Sequence, residues 1–390
     1  GHDAIAIDGL GDGTGFAPAA PKEGFDSIPL WVADMSFATA PSVTRAMHER
    51  IDHPFFGYYA ESDAYYDAIR WWHATRKGVT DLSREHIGYE NGVLGGVVTA
   101  LNVLCSRGDK VLVHSPTYVG FTGACENNGY HLVHSPLVPD EAGVWRMDFE
   151  DMERRIVDNK IHCAIFCSPH NPCGRVWERW ELEQAMALFE KHDVWVISDE
   201  IWSDLLMGGR THIPTQSVSE DARMRTAAFY APSKTFSLAG LIGSYHIIYN
   251  EDLRKEIERT GSATYYNSCN VLSLHALLGA YSPEGMRWVD ELKTVLYGNL
   301  RYVKDFMETN FEGVSMFLPE GTYMLFLNCR AWCDAHGVTT DELKKRGIRA
   351  GVIWQDGAAF GDPDCIRLNV ALPFSLVEEA MARLKERVFI

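Results

Sequence analysis

Thr226-Ala-Ala-Phe-Tyr-Ala-Pro-Ser-Lys-Thr-Phe-Ser-Leu-Ala-Gly240 sets one lysine, Lys234, among small and apolar neighbours. Residues 226–230 are β-prone, and so are residues 241–249, which predicts Lys234 on a turn between two buried strands. Burial disfavours the ammonium form and lowers a lysine pKa, turning the side chain into an amine nucleophile or a proton carrier. This is how a Schiff-base lysine is prepared. An ordinary strand-end lysine would instead keep its amine in water, so the decision rests on partners elsewhere in the chain.

Working outward, β-prone runs at 87–90, 110–114, 131–135, 162–167 and 194–198 alternate with helical patterns at 93–105, 121–127 and 181–192. Near-continuous apolar strands alternating with helices predict an α/β class with a mostly parallel sheet covered on both faces. Earlier, Pro41 opens an amphipathic helix at 42–51 with Val43, Ala46, Met47 and Ile51 on one face, and a second helix is expected at 64–76. Later, residues 283–310 carry Met286, Val289, Leu292, Leu296, Leu300, Val303 and Phe306 at helical spacing. Strands at 323–328 and 365–370 and helices at 339–346 and 376–387 complete a smaller α+β tail. The expected domains are an arm with a small-domain segment at 1–40, a large domain at 41–282, and a small domain at 283–390 that includes the long helix as its joint.

Composition excludes several classes. With 390 residues, 46% of them hydrophobic and 23% charged, the chain is globular rather than disordered or fibrous. A net charge of -17 without a basic cluster argues against nucleic acid. No apolar run reaches the ~20 residues of a membrane span. Nine cysteines, an odd number without a Cys-x-x-Cys pair, fit reduced thiols and a cytoplasmic location. His131 and His134, three apart on a strand, face opposite sides, so no metal is expected. Residues 1–29 read as an extended arm. The glycines at 9, 11, 13 and 15 follow no convincing strand and open no helix, which argues against a dinucleotide loop and an NAD-linked enzyme.

In open α/β sheets, ligands sit beyond the carboxyl ends of the strands. Three such ends carry chemistry: Asn171 in the loop after residues 163–167, Asp199 after 194–198, and Lys234 after 226–230. A fourth piece is Asn91-Gly-Val-Leu-Gly-Gly96, a glycine-rich helix start whose free N–H groups at 93–95 suit an anion. Together they suit pyridoxal 5'-phosphate (PLP). An aldehyde needs the Lys234 amine, a protonated pyridine nitrogen needs a carboxylate such as Asp199, the ring hydroxyl needs a donor such as Asn171, and the phosphate needs the helix end near Val93 and Leu94. Arg367 adds a planar fork suited to a substrate carboxylate.

The chain resembles the fold-type I PLP enzymes, and within them the MalY/PatB-type cystathionine β-lyases, relatives of the class I/II aminotransferases. The resemblance rests on Pro29-Leu-Trp-Val-Ala-Asp-Met35, Phe56-Gly-Tyr58, Ser115-Pro-Thr-Tyr118, Ser168-Pro-His-Asn-Pro172, Ser198-Asp-Glu-Ile201, Ala231-Pro-Ser-Lys-Thr-Phe236, Gly321-Thr-Tyr323 and Arg367-Leu-Asn369. It implies that Tyr118 stacks on the cofactor ring, that Ser233 helps hold the phosphate, and that Tyr58 reaches the phosphate of a neighbouring subunit in a homodimer. Val32 and Ala33 would touch substrate. Trp202 lies beside the cofactor, at a position where related aminotransferases often carry tyrosine and lyases histidine. Ser36 replaces a usual second acid.

The implied activity is a carbon–sulfur β-lyase on an amino acid, with Lys234 as catalytic base and Tyr118 beside it. An aminotransferase is the alternative within the same chemistry. A PLP-binding regulatory protein with little turnover is the alternative of another class.

Overall fold

The computed structural model describes residues 5–11 and 17–390. The glycines at 13 and 15 lie outside these residues. Eight strands form the large sheet, which in spatial order begin at Ile87, Gly243, Thr226, Trp195, Cys163, Lys110, His131 and Trp145. The central pairings, from Thr226–Tyr230 through Trp195–Asp199, Cys163–Cys167 and Lys110–Ser115 to His131–Pro139, are all parallel. Antiparallel strands appear only at the two flanks. The parallel core is buried along its whole length, with Cys163–Cys167 and Thr226–Tyr230 buried at every residue. That explains why those strands read as unbroken apolar runs rather than alternating ones.

A four-stranded sheet built from Ser315–Met316, Met324–Asn328, Cys365–Asn369 and Gln355–Asp356 forms the smaller C-terminal α+β region. The helix Pro283–Asn310 begins with Ser282 capping the Gly285 N–H and Pro283 at its first position. It buries Val289, Leu292, Leu296, Leu300 and Val303, the stripe anticipated from its spacing, although Met286 and Phe306 are only half-buried.

Two local readings need correction. The arm is not uniformly extended, since Ile5–Asp8 is a short helix and Ile28–Pro29 forms a short strand that pairs in parallel with Val352–Ile353. In the helix Pro41–Ile51, Ile51 is exposed while Arg50 is buried. The guanidinium of Arg50 donates Nη1 and Nη2 to the His53 and Phe55 carbonyls, so a polar side chain with two carbonyl acceptors takes the inward position that periodicity assigned to an aliphatic one.

The loop after Cys167 is anchored from behind. Arg175, fully buried, donates Nη2 to Glu181 Oε2 at 2.6 Å and Nη1 to Glu181 Oε1 at 3.0 Å, and its Nε reaches Glu320 Oε2 at 3.0 Å. This bidentate pairing ties the loop carrying Asn171 both to the following helix and to the C-terminal region.

Candidate active site

Because three neighbouring strands run parallel in fixed register, with Cys167 opposite Asp199 and Asp199 opposite Phe229, their carboxyl ends open into one place. A cavity of about 250 Å³ lies there. It is lined by Lys234, Asp199, Asn171, Tyr118, Ser233, Trp202, Val93, Leu94 and Ala33, all anticipated from the sequence.

Lys234 Nζ donates to the Ala33 carbonyl at 2.8 Å and stands 5.9 Å from the Trp202 ring centre. Burial pulls its ammonium down to about 8; the negative charge of Asp34 opposes this, and Asp199 opposes it less. Asp34 was not singled out in the sequence, although it sits in the quoted run 29–35. Its Oδ1 accepts the Ser237 hydroxyl at 3.2 Å. Ser237 and Ile242, at φ 55° and 64°, hold left-handed backbone after the lysine. Two such non-glycine residues in one turn mark stored strain of the kind that clusters at functional sites.

Asp199 is buried and pairs with only the Ile201 N–H, to Oδ1 at 3.1 Å. Desolvation raises its pKa to about 6. It is therefore a carboxylate waiting for a cationic or N–H partner. Glu200, the next residue, faces a different environment. It contacts His212 Nε2 at 2.6 Å and accepts from Ser198 Oγ at 3.0 Å and the Thr215 N–H at 3.1 Å. Burial alone would raise its pKa, but His212 and the hydrogen bonds outweigh that and hold it below the usual carboxylate range. Two adjacent acids thus divide roles, with Asp199 open to the cavity and Glu200 locked into the protein behind it.

The helix Val93–Leu104 starts at the cavity rim. Gly92 adopts φ 85°, a conformation that favours glycine, and the first turn leaves N–H groups at 93–95 without intrahelical acceptors. Gly95 is held small because a Cβ there would lie 2.0 Å from the Tyr266 hydroxyl oxygen, which itself donates to the Asn91 and Gly92 carbonyls.

Three anticipated residues lie outside the cavity wall. Arg367 is buried beside it, donating Nη1 to Asn171 Oδ1 at 3.3 Å and Nη2 to Gln355 Oε1 at 2.6 Å and the Trp31 carbonyl at 2.8 Å. Its Nε has no partner, and burial lowers its pKa to about 10, so it stays charged at neutral pH. Val32 stands behind Ala33, with its carbonyl accepting from Asn369 Nδ2 at 2.7 Å. Tyr58 is fully exposed and lines a separate depression with Arg50 and His275.

Conversely, Cys167, Ile201, Ala231, Ala239, Ile242, Gly243 and Ser244 line the cavity without having been singled out. Ala239, Ile242, Gly243 and Ser244 come from the turn and strand after the lysine, where the sequence signal was only an apolar run.

The donor set of amine, lone carboxylate, amide and free helix end within one small cavity fits PLP in chemistry and number. Residues 26–384 match the family Aminotransferase class I and II. Cystathionine beta-lyase PatB of Bacillus subtilis (strain 168) is 34% identical, with 92% of each chain covered. Protein MalY of Escherichia coli (strain K12) is 32% identical over 92% of this chain and 91% of that one. Among solved structures, the PLP-bound C-S lyase from Staphylococcus hominis superposes with a TM-score of 0.88 at 30% identity, covering 98% of this chain and 95% of that one. Cystalysin from Treponema denticola, which contains a pyridoxal 5'-phosphate cofactor, gives a TM-score of 0.87 at 31% identity, covering 92% and 90%. The chain belongs to the class I and II aminotransferase family, on the fold-type I branch closely related to the MalY/PatB-type C-S lyases.

The lowered pKa of the buried Lys234 amine gives a pH signature. Cofactor-free protein should capture added PLP faster as pH rises through about 8, because the neutral amine is the nucleophile and its fraction grows with pH. Stopped-flow absorbance should show the rate levelling above that value. A rate still climbing steeply toward the ordinary lysine range would contradict the buried-amine reading.

Proposed function

We propose that this chain is a PLP-dependent carbon–sulfur β-lyase, acting on an amino acid that carries a sulfur leaving group at Cβ. The observation carrying this is the shared opening of Lys234, Asp199 and Asn171 into one cavity. The C-S lyases among its relatives support the choice of reaction. The balanced reaction converts RS–CH2–CH(NH3+)–COO– and water to RSH, pyruvate and ammonium.

When bound, PLP supplies an electrophilic carbonyl and a pyridinium ring that accepts the electron pair left at Cα. Asp199 would hold the proton on the ring nitrogen; burial raises its own pKa to about 6 against the opposing charge of Lys234. Asn171 would donate to the ring hydroxyl, Tyr118 would pack against the ring, and Ser233 with the N–H groups at 93–95 would hold the phosphate. Lys234 Nζ would take the Cα proton as general base. Arg367, whose buried Nε is without a partner, would hold the substrate carboxylate, which selects the Cα bond that breaks. Ala33 and Trp202 bound the substrate side, with Val32 holding Ala33 in place.

Replacing Arg367 by lysine should lower kcat/KM by roughly 10- to 100-fold, since a point charge cannot reproduce the planar fork. Steady-state kinetics unchanged by this substitution would remove Arg367 from the site.

We also infer a homodimer. Phe55, Phe56 and Tyr58 expose three aromatic rings in one loop, more than an isolated surface comfortably presents, and Tyr58 serves no function within its own subunit's cavity. Sedimentation as a monomer at micromolar concentration would overturn this. The domain boundaries at 40 and 282 remain the reading that best accommodates the two sheets, with Ile28–Pro29 joined to the small region through Val352–Ile353. All nine cysteines are free, which supports a reducing cytoplasmic setting. Among the described residues, no helix is long and apolar enough to cross a membrane.

The deciding experiment incubates holoprotein with cystathionine and follows pyruvate and thiol release beside keto-acid-dependent amino transfer. Release of pyruvate and thiol in equal amounts is expected. Amino transfer without pyruvate would replace the lyase by an aminotransferase.

A further inference from the structure

A second group of ligating side chains lies at the far end of the large sheet. Cys105 follows the last turn of the helix Val93–Leu104, Asp109 directly precedes the strand Lys110–Ser115, and His162 directly precedes the strand Cys163–Cys167. Those two strands are parallel neighbours, with Leu112 opposite Ala164, so their amino ends meet. The active-site cavity opens at their carboxyl ends, about 13 Å away for a five-residue strand.

The Cys105 sulfur, an Asp109 carboxylate oxygen and a His162 ring nitrogen lie within 4.8 Å of one another. Asp109 Oδ2 is 3.4 Å from His162 Nε2. All three residues are partly buried, so each is held by packing yet reachable from solvent. Ligand atoms bonded tetrahedrally to zinc at ~2.0–2.3 Å stand roughly 3.3–3.8 Å apart, so closure needs only a small contraction. Asp109 Oδ2 also accepts the Ser106 N–H at 2.6 Å, an outer contact that orients the carboxylate as such partners do around metal ligands. One sulfur, one imidazole nitrogen and one oxygen suit Zn2+ and do not suit Mg2+ or Ca2+, which take oxygen ligands.

We propose that Cys105, Asp109 and His162 form a zinc site with water in the fourth position, remote from the PLP cavity and stapling a helix end to two strand starts. The sequence offers no short-spacing motif for it, because His162 reaches the other two only through strand adjacency. Neither His131 nor His134 takes part.

The test uses the full-length holoprotein, incubated with zinc chloride and then dialysed. A single retained zinc per chain is expected, with a sulfur neighbour in its X-ray absorption spectrum and a raised melting temperature. Cys105→Ser, Asp109→Asn and His162→Gln should each weaken zinc binding by at least about tenfold, whereas Lys234→Ala should leave it unchanged. The absorption spectrum is read on the unaltered protein, so the result does not depend on a variant folding. No retained zinc, a zinc shell without sulfur, or equal affinity in Cys105→Ser and His162→Gln would overturn the proposal.

Discussion

Lys234→Ala is expected to lower β-elimination turnover by roughly 10³–10⁴-fold, because it removes both the nucleophile and the general base in one change. The groups around it are the Ala33 carbonyl, the Trp202 ring, the Arg367 guanidinium and the carboxylates of Asp34 and Asp199, none of which can replace an amine nucleophile. Borohydride treatment should fix the cofactor covalently to the unaltered protein and leave the variant unlabelled. Since the wild-type amine is destabilised by burial, the variant should fold at least as well, and matched thermal melting separates chemistry from folding. Covalent labelling of Lys234→Ala would transfer the role to another amine.

Asp199→Asn should cost roughly 10²–10³-fold in kcat, the size typical of removing one preorganised electrostatic contact from a water-excluded site. Asparagine keeps the shape but cannot carry the charge that holds a proton on the ring nitrogen. Asp199 makes a single hydrogen bond inside the protein, so little else changes on substitution. The companion substitution Glu200→Gln probes the locked neighbour and should appear mainly in stability, through the contacts to His212 and Tyr230. Turnover of Asp199→Asn within a factor of about three of the parent would show that the ring charge is supplied elsewhere.

Much of this site was legible because its chemistry falls at the ends of buried parallel strands. Such strands announce themselves as apolar runs, and the polar residue that stops each run lies at the cavity by topology alone. Lys234, Asp199 and Asn171 follow from that reasoning, and the long helix Pro283–Asn310 follows from period and capping. Cavity residues such as Gly243 and Ser244 did not, because they sit on an antiparallel strand whose register depends on contact with Ile87–Asn91. The misplacement of Ile51 has a different origin: an arginine with two carbonyl acceptors can outcompete an isoleucine for an inward position, and periodicity carries no information about acceptors. Arg367 was legible as a residue type, but the contacts that hold its guanidinium, to Asn171, Gln355 and the Trp31 carbonyl, were not.

Asp199 ends one parallel strand, opposite Phe229, and Lys234 lies in the turn just beyond the neighbouring strand Thr226–Tyr230. The carboxylate is therefore placed by the sheet ladder and the amine by the turn that leaves it. Deleting one residue inside Trp195–Asp199 would swing the carboxylate to the reverse face of the pleat, whereas a change in the backbone at Ala33 would reach the amine, whose Nζ donates to its carbonyl. Directed evolution toward new leaving groups can accordingly vary side chains at the mouth of the pocket while the sheet keeps the carboxylate in place.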